Sequence, residues 1–192
     1  MKKLIAITGG IGSGKSKALQ ILAEMGYAVF SCDKIYSEVI SSPSYIKKIS
    51  EVFPECILDG KIERKRLSEI VFKNKEKLHL LNGIAHPLIM ESLFEQMHAC
   101  EKDVVFAEVP LLFEGNYENK FDGVIVLMRN KEERIHSIML RDNISREDAI
   151  NKISMQFDYE QGELRFKNCD AIIIENNGTP DELKLKIQSL NF

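Results

Sequence analysis

Residues 4–20 read LIAITGGIGSGKSKALQ, and the fold follows from them. Leu4-Ile5-Ala6-Ile7 is an apolar run long enough for a buried strand. Gly9-Gly10-Ile11-Gly12-Ser13-Gly14-Lys15-Ser16 comes directly after it, and an amphipathic stretch follows. Strand, glycine-rich loop and helix are the context in which G-x-x-x-x-G-K-[ST] forms a P-loop. The glycines let the backbone turn tightly and aim successive N–H groups, those of Gly10, Gly12, Ser13 and Gly14 among them, at one point. The helix that starts there adds unpaired N–H groups and the positive end of its dipole. Lys15 is then a point charge for the β- and γ-phosphates, and the Ser16 hydroxyl is placed to ligate Mg²⁺. With every motif position filled and both flanks right, these residues read as a nucleoside triphosphate site, with Mg²⁺ expected beside the phosphates.

The 192 residues suit one α/β domain of ordinary size, or one that carries an insertion. Hydrophobic residues make up 44%, enough for a sizeable core. The 26 basic and 29 acidic residues leave a formal net charge of −3, which gives no case for a nucleic-acid partner. Cys32, Cys56, Cys100 and Cys169 are widely separated and form no C-x-x-C. They read as small core residues in a reducing compartment. No cleavable leader is expected before the first strand, and no apolar run approaches the length of a membrane span. A soluble, cytoplasmic protein is expected, a monomer or weak oligomer with no membrane partner.

Along the chain, the first helix is expected from Gly14 to about Met25, closed by Gly26. Tyr27-Ala28-Val29-Phe30 reads as a second buried strand ending at Ser31-Cys32-Asp33. Ligands of open α/β sheets bind beyond the carboxyl ends of the strands. An acid at that end, Asp33, could take a proton from a substrate hydroxyl or hold Mg²⁺ through water. It could equally cap the helix that follows. Residues 43–101 show helical patterns over 44–53, 63–73 and 75–100 and no strand. They read as a helical insertion that holds an acceptor substrate. Pro87 should kink or break the last helix at His86. His86 itself reads either as a substrate contact or as a packed side chain.

Asp103–Ala107 is the third expected strand, and Glu108 at its end is a candidate outer-sphere partner for Mg²⁺. Leu111, Leu112 and Phe113 after Pro110 read as core or as an apolar wall for the acceptor. Gly123–Met128 is the fourth strand, almost wholly apolar, as a doubly covered parallel strand should be. The helix after it carries Arg134 and Arg141 on one face. Residues 142–166 are dense in charge and amide. That composition fits either a lid that closes over phosphates, with Arg141 at its root steadying transferring charge, or a solvated helix. Asp170–Glu175 is the fifth strand. In the polar turn beyond it, Asn177 is a candidate for the nucleotide.

Two function classes compete: a small-molecule kinase and a GTPase-type switch. A switch should carry D-x-x-G after a strand and N-K-x-D for guanine. No glycine here has an Asp three residues before it, and Asn130-Lys131-Glu132-Glu133 matches only in part. The pattern favours the kinase.

Beyond the P-loop at Thr8–Ser16, further segments carry a resemblance. They are Asp33, R-x-x-L-x-x-x-V-F at Arg64–Phe72, L-N-x-I-x-H-P at Leu81–Pro87, P-L-L-F-E at Pro110–Glu114, R-D at Arg141–Asp142, Gln156, and D-x-I-I-x-N-N-G over Asp170–Gly178. Together they resemble the dephospho-CoA kinase family over nearly the whole chain. The resemblance implies transfer of the ATP γ-phosphoryl to the ribose 3′-hydroxyl of dephospho-CoA, with other P-loop nucleoside or nucleotide kinases as the alternative. It implies a P-loop nucleoside triphosphate hydrolase fold: a five-stranded parallel sheet with a helical substrate-binding insertion and a lid. The single kinase domain spans 1–192, with core 1–42, 102–141 and 167–192, insertion about 43–101 and lid about 142–166. Asp33, Lys15 and Arg141 become the catalytic set. Lys17, which stands where the family has a small residue, offers its backbone N–H to phosphate. Asp33, His86, Leu111 and Leu112 are the expected substrate contacts.

Overall fold

The computed structural model describes residues 2–72 and 74–192. In chain order the elements are β1 (Lys3–Thr8), α1 (Lys15–Glu24), β2 (Ala28–Ser31), α2 (Cys32–Val39), α3 (Pro43–Val52), β3 (Ile57–Leu58), β4 (Lys61–Ile62), α4 (Arg64–Phe72), α5 (Lys75–Ala99), β5 (Val104–Glu108), β6 (Gly123–Met128), α6 (Lys131–Asp142), α7 (Arg146–Ser154), α8 (Glu163–Asn168), β7 (Ile172–Glu175) and α9 (Pro180–Gln188). They fall into two compact units, residues 1–30 with 100–192, and residues 31–99.

The first unit is built on a five-stranded parallel sheet in the order β2-β5-β1-β6-β7. β1 lies at its centre, with Ile5 opposite Phe106 on one side and Gly123 on the other. Its residues Leu4–Thr8 are all buried, as the apolar run requires. α1 and α9 cover the sheet through Leu22, Leu183 and Ile187, which join Ile7, Phe106 and Leu127 in one core. β2 differs from expectation. As an edge strand it has one strand neighbour, and all four of its residues are half-buried rather than buried. The opposite edge, β7, leaves Ile172 and Ile173 about half exposed.

The second unit packs α2, α3 and α4 on the 25-residue α5. Its boundary falls at Ser31, a helix earlier than the expected 43. Ile35 and Val39 give α2 a buried face, and that helix packs on α5. The expected helix over 63–73 runs from Arg64 to Phe72, and Lys73 lies outside the described residues.

Two further expectations fail here. The segment read as strandless holds a short antiparallel hairpin, β3–β4. Asp59 (φ 49°) and Gly60 (φ 73°) make its turn, both left-handed. Asp-Gly is the dipeptide that a two-residue hairpin turn asks for. α5 also runs through His86 and Pro87 without a break. Proline removes one N–H and presses on the carbonyl four residues back. That carbonyl belongs to Gly83, the residue type whose backbone yields most readily, with open space around it.

Candidate active site

The P-loop connects the buried end of β1 to α1, and its form is set by what meets its carbonyl groups. Lys15 Nζ donates to the Gly9 and Gly10 carbonyls at 2.8 and 3.2 Å. Arg134 Nε donates to Ile11 O at 3.0 Å, Arg129 Nη1 to Gly12 O at 3.4 Å, and Asn176 Nδ2 to Ser13 O at 2.8 Å. Every carbonyl from residue 9 to 13 thus receives a side-chain donor. The backbone is thereby held in the concave form in which N–H groups can gather on an anion. On the donor side, Gln156 Oε1 accepts from the Ile11 N–H at 2.6 Å.

Two glycines are required by this crowding. A Cβ on Gly10 would run into the Arg134 guanidinium, and one on Gly14 (φ 99°) would meet the Asn176 amide. Lys15, Arg134 and Asn176 are 8%, 5% and 8% exposed, so these polar groups are held inside rather than solvated. Burial pushes the Arg134 guanidinium below its ordinary pKa. The Ser13 hydroxyl is buried with no partner at hydrogen-bonding geometry among the described residues.

Ser16, in the first turn of α1, donates to Glu108 Oε1 at 3.1 Å. Glu108 ends β5, beside β1, and is 6% exposed. The sequence placed these two residues separately as Mg²⁺ partners, and the parallel pairing of β1 with β5 brings them together. A hydroxyl beside a carboxylate is an oxygen donor set that fits Mg²⁺. Among the described residues no group of three or more His, Cys, Asp or Glu is gathered, and Mg²⁺ in kinase sites needs no such cage.

Other expected site residues fall differently. Lys17 is exposed, and its ammonium reaches Gln20 Oε1 at 3.2 Å. Asn177 is exposed and accepts from the Asn130 N–H at 2.8 Å, bracing the start of α6; its neighbour Asn176 is the one that reaches the loop. Leu112 is 0% exposed and Phe113 1%, so Leu112 is core and not a surface for the acceptor, whereas Leu111 is half-buried. Arg141 and Arg134, expected as a pair on one face, are split between solvent and interior. Arg141 is exposed and paired with Asp142 at 2.7 Å, and Lys152 pairs with the same carboxylate at 2.7 Å. These two cations hold the Asp142 carboxyl well below the usual carboxylate range.

The expected lid also divides. Residues 142–154 carry exposed charge, whereas beyond Gln156 Tyr159 and Phe166 are buried and Phe157 half-buried. Phe113 meets Phe157 and Phe166 at ring separations of 5.0 and 5.3 Å, and Arg165 lies 5.4 Å over Phe113. Glu114 accepts from the Phe157 N–H at 2.8 Å, and the Tyr159 hydroxyl pairs with Thr8 Oγ1 at 2.9 Å. Phe113 and Glu114 therefore anchor the segment that carries Gln156 to the loop.

Asp33 and His86 belong to the second unit. Asp33 is exposed and lies inside the first turn of α2, whose cap position is Ser31, so Asp33 is not the N-cap. His86 is half-buried on α5, and desolvation lowers its pKa.

Sequence reasoning gave no chemistry to Arg129, Arg134, Gln156, Asn176 or Tyr159. The signal for Arg134 was present, an arginine on the buried face of the helix that follows the fourth strand. The contacts of Gln156 and Asn176 join residues some 145 and 163 positions apart, which no local pattern shows.

A family model described as dephospho-CoA kinase matches residues 3–182. A dephospho-CoA kinase of Fusobacterium nucleatum is 39% identical over 187 residues, covering 96% of this chain and 95% of that protein. A crystal structure from Thermus thermophilus superposes with a TM-score of 0.80 at 30% identity, covering 98% of this chain and 95% of its own. The dephospho-CoA kinase from Campylobacter jejuni superposes with a TM-score of 0.68 at 32% identity, covering 98% and 94%. With this sheet order, this loop and full-length similarity of that kind, the chain belongs to the dephospho-CoA kinase family.

Proposed function

We infer that this protein uses ATP to phosphorylate the ribose 3′-hydroxyl of dephospho-CoA, giving CoA and ADP, the last step of coenzyme A synthesis. The observation that carries the reading is the grouping of Lys15, Ser16 and Glu108 at the carboxyl ends of β1 and β5, in a chain of this family. Phosphoryl transfer asks a protein mainly for alignment and neutralised charge, with one base for the attacking hydroxyl.

The loop N–H groups and Lys15 hold the triphosphate. Lys15 gives up its bonds to its own loop carbonyls to do so. Arg129, Arg134, Asn176 and Gln156 keep the loop in shape while that exchange takes place. Ser16 would hold Mg²⁺ directly and Glu108 through water; the ion, when bound, neutralises charge on the β- and γ-phosphates. Asp33 accepts the proton of the 3′-hydroxyl as it attacks. Its exposure leaves the carboxylate open to an incoming hydroxyl. Arg141 supplies positive charge to the transferring group, exchanging Asp142 for phosphate oxygens.

The acceptor occupies the second unit, to which His86 belongs, and Leu111 of the first unit is a further proposed acceptor contact. The protein works in the cytoplasm as a monomer or weak oligomer. Among the described residues no helix is long and apolar enough to cross a membrane.

A coupled ADP-release assay with ATP, Mg²⁺ and dephospho-CoA tests the reading, with adenosine and pantetheine as control acceptors. Turnover that requires dephospho-CoA is the expected result. ADP release at the same rate without any acceptor would defeat it.

A further inference from the structure

Between residues 9 and 16, Ile11 is the one large apolar side chain. Ile7 and Ala18, which flank the loop, belong to the core that α1 and α9 form with the sheet. Ile11 does not join that core. It packs against a second cluster, made of Ile135 and Ile138 of α6 and Ala149 of α7, all buried, with the half-buried Ile144 and Ile153 at its edge. The loop therefore has its two ends rooted in one core and its tip in another.

The backbone of Ile11 is held by the same elements. Its carbonyl accepts from Arg134 Nε of α6 at 3.0 Å, and its N–H donates to Gln156 Oε1, two residues beyond α7, at 2.6 Å. The glycines on either side also meet Arg134. A Cβ on Gly10 would strike the guanidinium, and one on Gly12 (φ 80°) would press on the Arg134 backbone. Side chain, N–H and C=O of one loop residue are thus all tied to α6, α7 and the chain just past them. A close-packed interior transmits a displacement instead of absorbing it. A shift of α7 against α6 then moves the loop tip, and an anion drawn onto the loop pulls on α7.

The same two helices carry the exposed cations at the corner. Arg141 follows Ile138 by three residues, about 4.5 Å further along the axis of α6. Lys152, which shares Asp142 with Arg141, is the neighbour of Ile153 in α7.

We propose that Ile11 is a positioning residue. Through its seat in the α6–α7 cluster, a nucleotide on the loop and the corner that bears Arg141 set each other's geometry. The proposal rests on the reading of the loop as the ATP site. Ile11 needs no contact with the nucleotide for this role. Its N–H is given to Gln156 and so is withheld from the phosphates, and its side chain is seated in the cluster. A misplacement of about 1 Å far from the reacting atoms can cost about 10²-fold in rate, so the seat of the loop tip matters to the chemistry. Coupling between binding events is reciprocal, so a change made in α7 must also alter the affinity of the loop.

Calorimetry with ADP and Mg²⁺, hydrogen exchange of the α7 amides and steady-state kinetics test this on the full chain. ADP lacks the phosphoryl group that Arg141 is proposed to meet, so contact with that group plays no part. In the wild type, ADP with Mg²⁺ slows exchange over residues 146–154 by about threefold or more. Ile11→Ala weakens ADP binding and raises KM for ATP, each by about five- to tenfold, and leaves KM for dephospho-CoA unchanged. At saturating ADP its α7 amides show no slowing. Ile11→Val, which keeps the branched carbon and most of the volume, recovers most of the affinity and the slowing. Ile153→Ala also weakens ADP binding, and the double variant is no weaker than Ile11→Ala alone, because both act through one cluster. Ile11 and Ile153 are half-buried, so the truncated chains fold, with the circular dichroism of the wild type. The proposal is overturned if Ile11→Ala binds ADP as the wild type does, if its α7 amides still gain protection, or if the effects of Ile11→Ala and Ile153→Ala multiply in the double variant. A wild type that binds ADP and protects α7 but fails to phosphorylate dephospho-CoA would instead defeat the acceptor reading and leave the role of Ile11 standing.

Discussion

Two regions of the first unit hold their charges in opposite ways. Around the P-loop, Lys15, Arg134 and Asn176 are buried, and each is tied to a backbone carbonyl. At the corner between α6 and α7, Arg141, Lys152, Arg146 and Glu132 lie in water and pair with one another's side chains or with Asp142. A buried donor fixed on a carbonyl cannot leave without exposing an unpaired group, so the first region is a rigid mould. Exposed pairs gain little from their attraction and can trade partners at small cost. The second region is thus suited to charges that must change partners during a reaction cycle. Counting cations in the sequence puts the catalytic weight on the corner. Burial puts the shape of the site in the mould.

The comparison breaks most severely at Lys15, the one side chain that belongs to the mould and must also reach the substrate. Lys15→Ala is expected to lower kcat/KM by about 10³-fold or more, combining the loss of a phosphate charge with loosening of Gly9 and Gly10. Near-normal turnover in the coupled assay would place the nucleotide elsewhere. Asp33 lies outside both regions and should affect chemistry alone. Asp33→Asn is expected to cut kcat by about 10²-fold while the affinity for ATP, read by calorimetry, stays the same. Weaker ATP binding with unchanged kcat would make Asp33 a structural residue. Arg134→Leu separates mould from chemistry. It leaves the Ile11 carbonyl without its donor, so denaturant unfolding should show a loss of about 1–3 kcal/mol, together with a raised KM for ATP. A variant as stable as the wild type would show that the loop keeps its shape without the guanidinium.

The sheet and the loop were legible because each rests on a local signal: an apolar run, a glycine pattern, a helical face. The pairing of Ser16 with Glu108 was half legible. Each residue stood at the end of an expected strand or helix, but their contact needs β5 to lie beside β1, which chain order does not state. Arg134 was visible and given no role, since spacing shows that it shares a face with Arg141 but not which end of that face is buried. Asn177 was chosen over Asn176 for want of any signal about which of two adjacent amides points back at the loop. The hairpin at Asp59-Gly60 was legible in its turn dipeptide and hidden by the shortness of its two-residue strands. Proline at 87 argued for a break, and the helix crosses it because a glycine lies four residues earlier.

The smallest effect belongs to the corner and is the sharpest check on it. Lys152 shares Asp142 with Arg141, and both side chains reach the carboxylate from solvent. Lys152→Ala removes one of two exposed cations and should leave the thermal midpoint at neutral pH unmoved within measurement, since the remaining pair and water replace it. Any residual difference at neutral pH should shrink on the acid limb. The Asp142 carboxyl is held below its ordinary value of 3.8 by Arg141 first and Lys152 second. A carboxyl with a depressed folded pKa contributes stability that is present above that ordinary value and is lost as the pH falls through the folded one. Below pH 4 the wild type and Lys152→Ala should therefore converge in midpoint, and added salt should bring them together at any pH. A large midpoint loss at neutral pH that salt does not reduce would mean that the corner is as rigid as the mould, and that Arg141 is not free to leave Asp142 for phosphate.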